Sequence, residues 1–148
     1  MPSQGSDSRG LEAHQGETLE LAAADVTALV AYARACLPEE ACGLLAGIDG
    51  VVARTHLLTN VERSPSTYTI DPREHFEALR QAEREGIELL GCWHSHTHTE
   101  AYPSPTDVAQ ALYPEWVYVV VSLRDPEPAV RGYRIVAGKV CAVTLVIG

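Results

Sequence analysis

Basic residues are scarce in this chain of 148 residues, and only one of them is a lysine, Lys139. Lys and Arg together number 11, against 20 for Asp and Glu, which gives a formal net charge of −9 at pH 7. Nucleic acids and anionic membranes are bound through basic surfaces. The composition therefore argues against a nucleic acid or a membrane as the partner.

Paired cysteines and long apolar segments are also lacking. The four cysteines form no Cys-x-x-Cys pair and mostly lie in apolar runs: Cys36, Cys42, Cys92 and Cys141. The sequence shows no signal-peptide pattern and no apolar stretch long enough to span a bilayer. These features predict a reduced, cytoplasmic protein.

Internal repeats and linkers are absent as well, and the length suits one domain with its own core. Residues 1–16 are rich in Ser, Gly and charge, which predicts a disordered tail before a single domain over residues 17–148. Strands interleaved with three helices predict an α/β fold, a three-layer α/β/α arrangement around a central mixed β-sheet. Strands are expected at 18–21, 41–46, 51–58, 67–70, 87–93, 116–123, 132–136 and 139–147, and helices at 25–37, 71–85 and 104–112.

What the sequence does contain is a dense group of metal-binding side chains within one short segment. His94 and His96 follow an apolar run that predicts a buried strand, and alternation along a strand places both imidazoles on one face. Ser104 and Asp107 lie at a predicted helix start, with proline at the first helical position. Two histidines and one carboxylate leave a fourth position for water, which is typical of a catalytic zinc site.

Two other interpretations of these residues stay open. Ser104 and Asp107 also have the spacing of a helix capping box, which needs no metal. Cys92 shares the strand face of His94 and is a rival ligand, although its position in an apolar run favours a role as a small buried residue.

Two motifs resemble those of the JAMM (MPN-plus) metalloproteases. His-Ser-His, followed by seven residues, Ser, two residues and Asp, resembles the metal-binding signature of that family. The segment from Glu40 to Gly47 resembles its upstream E-x-x-G-L-L-x-G element. Within the family, residues 60–65 and 99–104 are most similar to bacterial hydrolases that trim sulfur-carrier proteins.

This resemblance implies a zinc metallopeptidase with an MPN/JAB-like fold, which is similar to the cytidine-deaminase fold. The implied substrate is a ubiquitin-fold sulfur-carrier protein or a peptide tail, whose C-terminal bond is hydrolysed to release cysteine in cysteine biosynthesis. The resemblance implies that His94, His96 and Asp107 bind zinc. It also implies that Glu40 carries a proton during catalysis and that Ser104 donates a hydrogen bond to the oxyanion.

Four further points accompany this interpretation. His98 departs from the family pattern and is open to a role near the ligands, in substrate contact or as a surrogate ligand. Relatives that have lost ligands are non-catalytic binding scaffolds, but all five site positions are filled here. A cysteine peptidase using Cys42 or Cys92 would need an exposed thiolate of low pKa. Glu39 is the neighbour with which Glu40 is easily confused, and the E-x-x-G register selects Glu40.

Overall fold

The computed structural model describes residues 16–148, so the tail predicted over residues 1–16 lies outside the described residues except for Gly16. The described part of the chain contains seven strands and three helices. The strands are β1 (Thr18–Leu21), β2 (Cys42–Ile48), β3 (Val51–Leu58), β4 (Glu88–His96), β5 (Val117–Ser122), β6 (Ala129–Val136) and β7 (Lys139–Ile147). The helices are α1 (Ala23–Cys36), α2 (Pro72–Glu85) and α3 (Pro105–Gln110).

These strands form one mixed sheet in the order β1-β3-β2-β4-β5-β6-β7. β4 and β5 run parallel, whereas β2 is antiparallel to both β3 and β4, and β6 is antiparallel to both β5 and β7. β1 runs parallel to β7 over four residue pairs and meets β3 where Glu20 lies opposite Val51. Because β1, the first strand of this order, also pairs with β7, the last strand, the sheet closes into a barrel.

The prediction of an α/β domain with a mixed sheet is confirmed. The predicted three-layer α/β/α arrangement is confirmed only in part. Leu29 and Ala33 of α1 belong to an apolar cluster that includes Trp93. Ala78 of α2 belongs to a second cluster, which includes Cys92. Helices thus pack on separate clusters, but the sheet is closed and not an open middle layer, because the short strand β1 bonds to both β3 and β7.

α2 begins and ends where the local chemistry predicts, whereas α1 begins two residues before its predicted start and without a side-chain cap. The side chain of Asp71 accepts hydrogen bonds from the N–H groups of Arg73 and Glu74, and Pro72 occupies the first turn of α2. Gly86 ends that helix in the left-handed region at φ 71°. In the part of the chain that the structure describes, no helix has the length and apolar character needed to cross a membrane.

The strand predicted over residues 67–70 is wrong. Ile70 forms only an isolated bridge with Asn60, because side chains accept the N–H groups of this segment. Oδ1 of Asn60 accepts from the N–H of Thr69 at 3.1 Å, and Oγ of Ser64 accepts from the N–H of Thr67 at 3.2 Å. Residues 59–71 therefore form a loop held by side-chain hydrogen bonds, and such bonding is not visible as strand periodicity.

β4 lies between β2 and β5, and its last six residues are all buried. The indole Nε1 of Trp93 donates to the carbonyl oxygen of His56 at 3.0 Å. A Cβ atom at Gly43 would lie 1.8 Å from that oxygen and 2.4 Å from the indole nitrogen. Only a residue without a side chain fits there, which gives the glycine of the E-x-x-G motif a physical reason.

Candidate metal centre

The last residues of β4 and the first turn of α3 bring three metal-binding groups together. Nε2 of His94 and Nε2 of His96 each lie 3.0 Å from Oδ2 of Asp107, and the two nitrogens are 3.1 Å apart. All three side chains are at least nine-tenths buried. Within residues 16–148 this is the one group of His, Cys, Asp and Glu side chains with the spacing of a metal site.

The protonation of His96 follows from its second ring nitrogen. Nδ1 of His96 lies 2.8 Å from the carbonyl oxygen of Glu100, which can only accept a hydrogen bond. Nδ1 of His96 therefore carries a proton, and Nε2 is the ring atom that faces the Asp107 carboxylate. Donation from the far nitrogen to a backbone carbonyl is the usual arrangement of a metal-bound histidine.

The distances test whether these residues fit zinc. Two ligand atoms about 2.0 Å from one tetrahedral ion lie roughly 3.3 Å apart, and the three atoms here are 3.0 to 3.1 Å apart. Burial lowers the pKa of His96, but hydrogen bonds with Asp107 and with the carbonyl of Glu100 raise it above its usual value, so a metal ion bound at Nε2 would replace a proton. The donor set and its geometry both fit zinc.

The electrostatics of the group favour an ionised carboxylate. Burial alone would raise the pKa of Asp107, but hydrogen bonds with His94 and His96 hold it well below its usual range. Burial lowers the pKa of His94 and keeps this imidazole neutral. One anion beside a neutral imidazole, with both rings directed at it, is an arrangement ready to bind a positive ion.

The capping box at the start of α3 is also present, so the two interpretations of Ser104 and Asp107 hold together. Oγ of Ser104 accepts from the N–H of Asp107 at 3.0 Å, and Oδ2 of Asp107 accepts from the N–H of Ser104 at 2.9 Å. The cap uses a lone pair of the serine oxygen and leaves its O–H free to donate. Capping and binding of an oxyanion thus draw on different parts of the same hydroxyl.

Glu40 lies two residues before the start of β2 and is 4% exposed. Burial raises the pKa of its carboxyl to about 8, and Oε1 has no hydrogen-bond partner among the described residues. Glu40, His96 and Ser104 border one cavity of about 230 Å³, whose other walls are Pro65, Ser66, Thr97, His98 and Thr99. A protonatable group and a hydroxyl thus share one cavity beside the candidate metal ligands.

Glu39 lies apart from this cavity. Its carboxylate is 3.4 Å from Nε of Arg63, and it borders a second cavity, which Glu40 also lines, but not the cavity beside the histidines. The neighbouring glutamates are therefore distinct in position, and Glu40 is the one beside the histidines.

The other candidates from the sequence lie outside the ligand group. His98 is exposed at the rim of the cavity, with Nδ1 2.8 Å from Oγ1 of Thr97. Cys92 and Cys42 are buried, and burial raises the pKa of each thiol to about 12. Neither cysteine belongs to the group formed by the two histidines and the aspartate.

Residues 22–136 match the protein family described as prokaryotic homologs of the JAB domain. The chain belongs to this family. The resemblance to JAMM metalloproteases that the two motifs indicated is thereby confirmed.

Curated relatives of this JAB domain include peptidases. The CysO-cysteine peptidase of Mycobacterium tuberculosis is 48% identical over 118 residues, which cover 78% of this chain and 81% of the relative. The desampylase of Haloferax volcanii is 36% identical over 88 residues, covering 57% and 63%. Both relatives carry the names of enzymes that cleave proteins or peptides.

Solved structures match the same JAB domain. Protein DSY2949 from Desulfitobacterium hafniense superposes with a TM-score of 0.82 at 34% identity, covering 88% of this chain and 92% of that chain. A JAB1/MPN domain protein from Archaeoglobus fulgidus gives a TM-score of 0.56 at 17% identity, covering 87% and 98%. The second likeness shows the fold alone.

The JAB domain also contains neighbours of the site that the sequence did not reveal. The ring of Tyr68 stacks on His94 with centroids 4.4 Å apart, and its hydroxyl lies 3.8 Å from Sγ of Cys92. Ser95 and Asn60 are buried; Ser95 accepts from the N–H of Ala41, and Asn60 donates to the carbonyl of Glu40. Asn60 begins a segment that resembles the sulfur-carrier hydrolases, and this resemblance was the one feature of the sequence that pointed to Asn60. No periodicity marks Tyr68.

Proposed function

We propose that this JAB domain protein is a zinc-dependent peptidase or isopeptidase that hydrolyses a bond at the C-terminus of a ubiquitin-fold carrier protein. The observation that carries the proposal is the convergence of His94, His96 and Asp107, in which the proton of His96 is held on the far nitrogen. The peptidases among its relatives support the reaction class.

A zinc ion held by His94, His96 and Asp107 would supply Lewis acidity and lower the pKa of a bound water from 15.7 to roughly 7. Glu40 accepts a proton from the attacking water and later delivers it to the leaving amine. Burial raises the pKa of this carboxyl above its usual value, so a proton accepted by the ionised group is retained until it passes to the leaving amine. The amide bond then breaks to give a carboxylate and an amine.

Ser104 stabilises the charge that develops on the substrate carbonyl oxygen. Its O–H remains available because the helix cap uses only a lone pair of the same oxygen. One such donor in an acyl-transfer enzyme contributes on the order of 10²–10³ in rate.

The substrate tail has room beside these groups. A cleft of about 530 Å³ borders His96 and Ser104 and continues past apolar and aromatic side chains, which include Tyr102, Val108 and Val140. An extended C-terminal tail fits such a cleft better than a folded surface does. The sulfur carrier as substrate and the release of cysteine for cysteine biosynthesis are part of this proposal. The M. tuberculosis relative, a CysO-cysteine peptidase, supports them. The predicted cytoplasmic location stays a prediction.

The test combines metal content and cleavage. Purified protein should contain about one zinc per chain by elemental analysis and should cleave a ubiquitin-fold carrier that ends in Gly-Gly-Cys. A chelator should abolish the cleavage, and added zinc should restore it. Cleavage that persists after complete removal of metal would refute the zinc-dependent reaction.

A thiol alkylator separates this proposal from a cysteine peptidase. Because the pKa values of Cys42 and Cys92 are raised to about 12 by burial, neither thiol is a thiolate at neutral pH. Activity should therefore survive alkylation. A non-catalytic scaffold would bind the carrier without cleaving it, with or without zinc.

A further inference from the structure

The carboxyl of Glu40 is held in place through its backbone. Oε1 lacks a hydrogen-bond partner among the described residues, so no side-chain bond fixes that oxygen. The N–H of Glu40 donates to the carbonyl oxygen of Ser64 at 2.8 Å, and the carbonyl of Glu40 accepts from Nδ2 of Asn60 at 3.1 Å. The position of the carboxyl therefore depends on these backbone contacts.

Ser95 makes the contact that joins this backbone to the strand of the histidines. Oγ of Ser95 accepts from the N–H of Ala41 at 2.8 Å, and the N–H of Ser95 donates to the carbonyl of Ala41 at 3.0 Å. Ser95 is fully buried between His94 and His96 in sequence, and strand alternation directs its side chain to the opposite face. It is therefore unable to bind the metal itself.

This contact extends the β2–β4 ladder by one step. Regular pairing begins with Cys42 opposite His94, and a side-chain oxygen replaces a backbone acceptor at the next step, beside Glu40. The strand that carries two candidate ligands thus also fixes the residue adjacent to the proton carrier. A shift of β4 moves both together.

We propose that Ser95 is a positioning residue, which keeps the Glu40 carboxyl at its working distance from the metal centre. The proposal rests on the proposed hydrolytic function. In the Ser95→Ala variant the buried N–H of Ala41 loses its acceptor, so the backbone before β2 shifts to find another. Misplacement of a reacting group by about 1 Å costs up to roughly 10²-fold in rate.

The expected result for Ser95→Ala is a fall in kcat of about 10-fold to 100-fold. KM and zinc content should equal those of the wild type, because the substrate cleft and the three ligands are untouched. Ser95→Cys provides a second variant if Ser95→Ala does not fold. It keeps a side chain of similar shape and offers the N–H of Ala41 only a weak sulfur acceptor, so kcat should fall in the same direction.

A double-mutant cycle distinguishes positioning of Glu40 from a general structural effect. The rate is measured in single turnover on the Gly-Gly-Cys carrier, with and without Glu40→Gln. If Ser95 acts through Glu40, Ser95→Ala should change the rate of Glu40→Gln by less than about twofold, because the group that it positions is already inactive.

Ser122→Ala is the matched control. Ser122 is also a buried serine at a strand end, opposite His96 in the β4–β5 ladder, and its Oγ donates to the carbonyl of Thr99 at 2.6 Å. It holds the loop after β4 and does not bond to the Glu40 backbone. Any loss that it causes should be the same with and without Glu40→Gln.

The outcomes separate this inference from the proposed function. Wild-type protein that neither holds zinc nor cleaves the carrier would refute the proposed function itself. With an active wild type, the positioning role is overturned if Ser95→Ala keeps full kcat or loses zinc. It is also overturned if Ser95→Ala lowers the rate of Glu40→Gln by the same factor as it lowers the rate of the wild type. The same holds if the effect of Ser122→Ala also disappears in the Glu40→Gln background.

Discussion

The carboxylate of Asp107 lies 3.0 Å from Nε2 of His94, although the two residues belong to different elements and are 13 positions apart. β4 ends at His96, so the chain leaves the strand before His98 and directs that imidazole elsewhere. His98 and Asp107, the two candidates that the sequence offers for the third ligand, thus lie in different places. His98 lines the cavity rim, and Asp107 faces both histidines.

We therefore predict that Asp107→Ala loses zinc while His98→Ala keeps it. Removal of one of three protein ligands leaves a two-ligand site, which holds zinc poorly. His98→Ala should instead alter substrate affinity, since this side chain borders the same cavity as Glu40. Zinc content after gel filtration measures both effects. Zinc retained in Asp107→Ala and lost in His98→Ala would reverse the assignment.

Glu40→Gln should keep zinc and fold but lose most of its turnover. The amide has nearly the same shape as the carboxyl and cannot accept a proton, and such catalysis contributes about 10²–10⁴-fold. Glu39→Gln is the matched control, because Glu39 pairs with Arg63 outside this cavity. Steady-state kcat of both variants decides the register. An inactive Glu39→Gln beside an active Glu40→Gln would place the proton carrier one residue earlier.

The same substitution should stabilise the metal-free protein. Burial raises the pKa of Glu40 to about 8 from 4.5, so the folded state is favoured when the carboxyl is protonated. That contribution is complete below pH 4.5 and is lost as the pH rises toward 8. Glu40→Gln removes the loss, and its free energy of unfolding should exceed that of the wild type by about 3 kcal/mol at pH 7.

Urea denaturation of chelator-treated protein between pH 4.5 and pH 8 measures this difference. The gap between Glu40→Gln and wild type should be near zero at the acid end and widen with pH. Glu39→Gln, with its carboxylate partly exposed, should stay within about 0.5 kcal/mol of wild type throughout. A gap for Glu40→Gln that does not change with pH would contradict a buried, protonated carboxyl.

Gly43→Ala should destabilise the fold strongly. The added Cβ would lie 1.8 Å from the His56 carbonyl oxygen and break the hydrogen bond from Trp93. We expect a loss of at least about 3 kcal/mol, at the severe end for single substitutions. Gly138→Ala is the comparison, since no atom lies within 4 Å of its Cβ position and only its φ of +81° is strained. A loss at Gly43 no larger than the loss at Gly138 would contradict a decisive role for the close contact, because Gly43 lies outside the positive-φ region.

The sequence was sufficient for the parts of this site that follow local rules. Strand alternation predicted that His94 and His96 share a face, and the Ser104-Pro105 start predicted the turn that presents Asp107. Each of these features involves residues within a few positions of one another. Glu40 came from the family motif, not from a physical pattern.

The remaining parts depend on contacts between distant positions. Ser95 bonds to Ala41 across 54 positions, and Tyr68 stacks on His94 across 26. The closure of the sheet depends on β1, a four-residue strand that pairs with β7 at the other end of the chain. Neither hydrophobic periodicity nor turn signals carry information about such pairings, so a barrel and an open sheet have the same local pattern.

The reciprocal cap of α3 has a consequence for folding. Asp107 Oδ2 bonds both to the first turn of a six-residue helix and to the two imidazoles. A helix this short is marginally stable by itself. The folding of α3 is therefore thermodynamically coupled to metal binding at the candidate centre. Metal binding would therefore tighten a segment that also forms one wall of the substrate cleft, and loss of metal would loosen it.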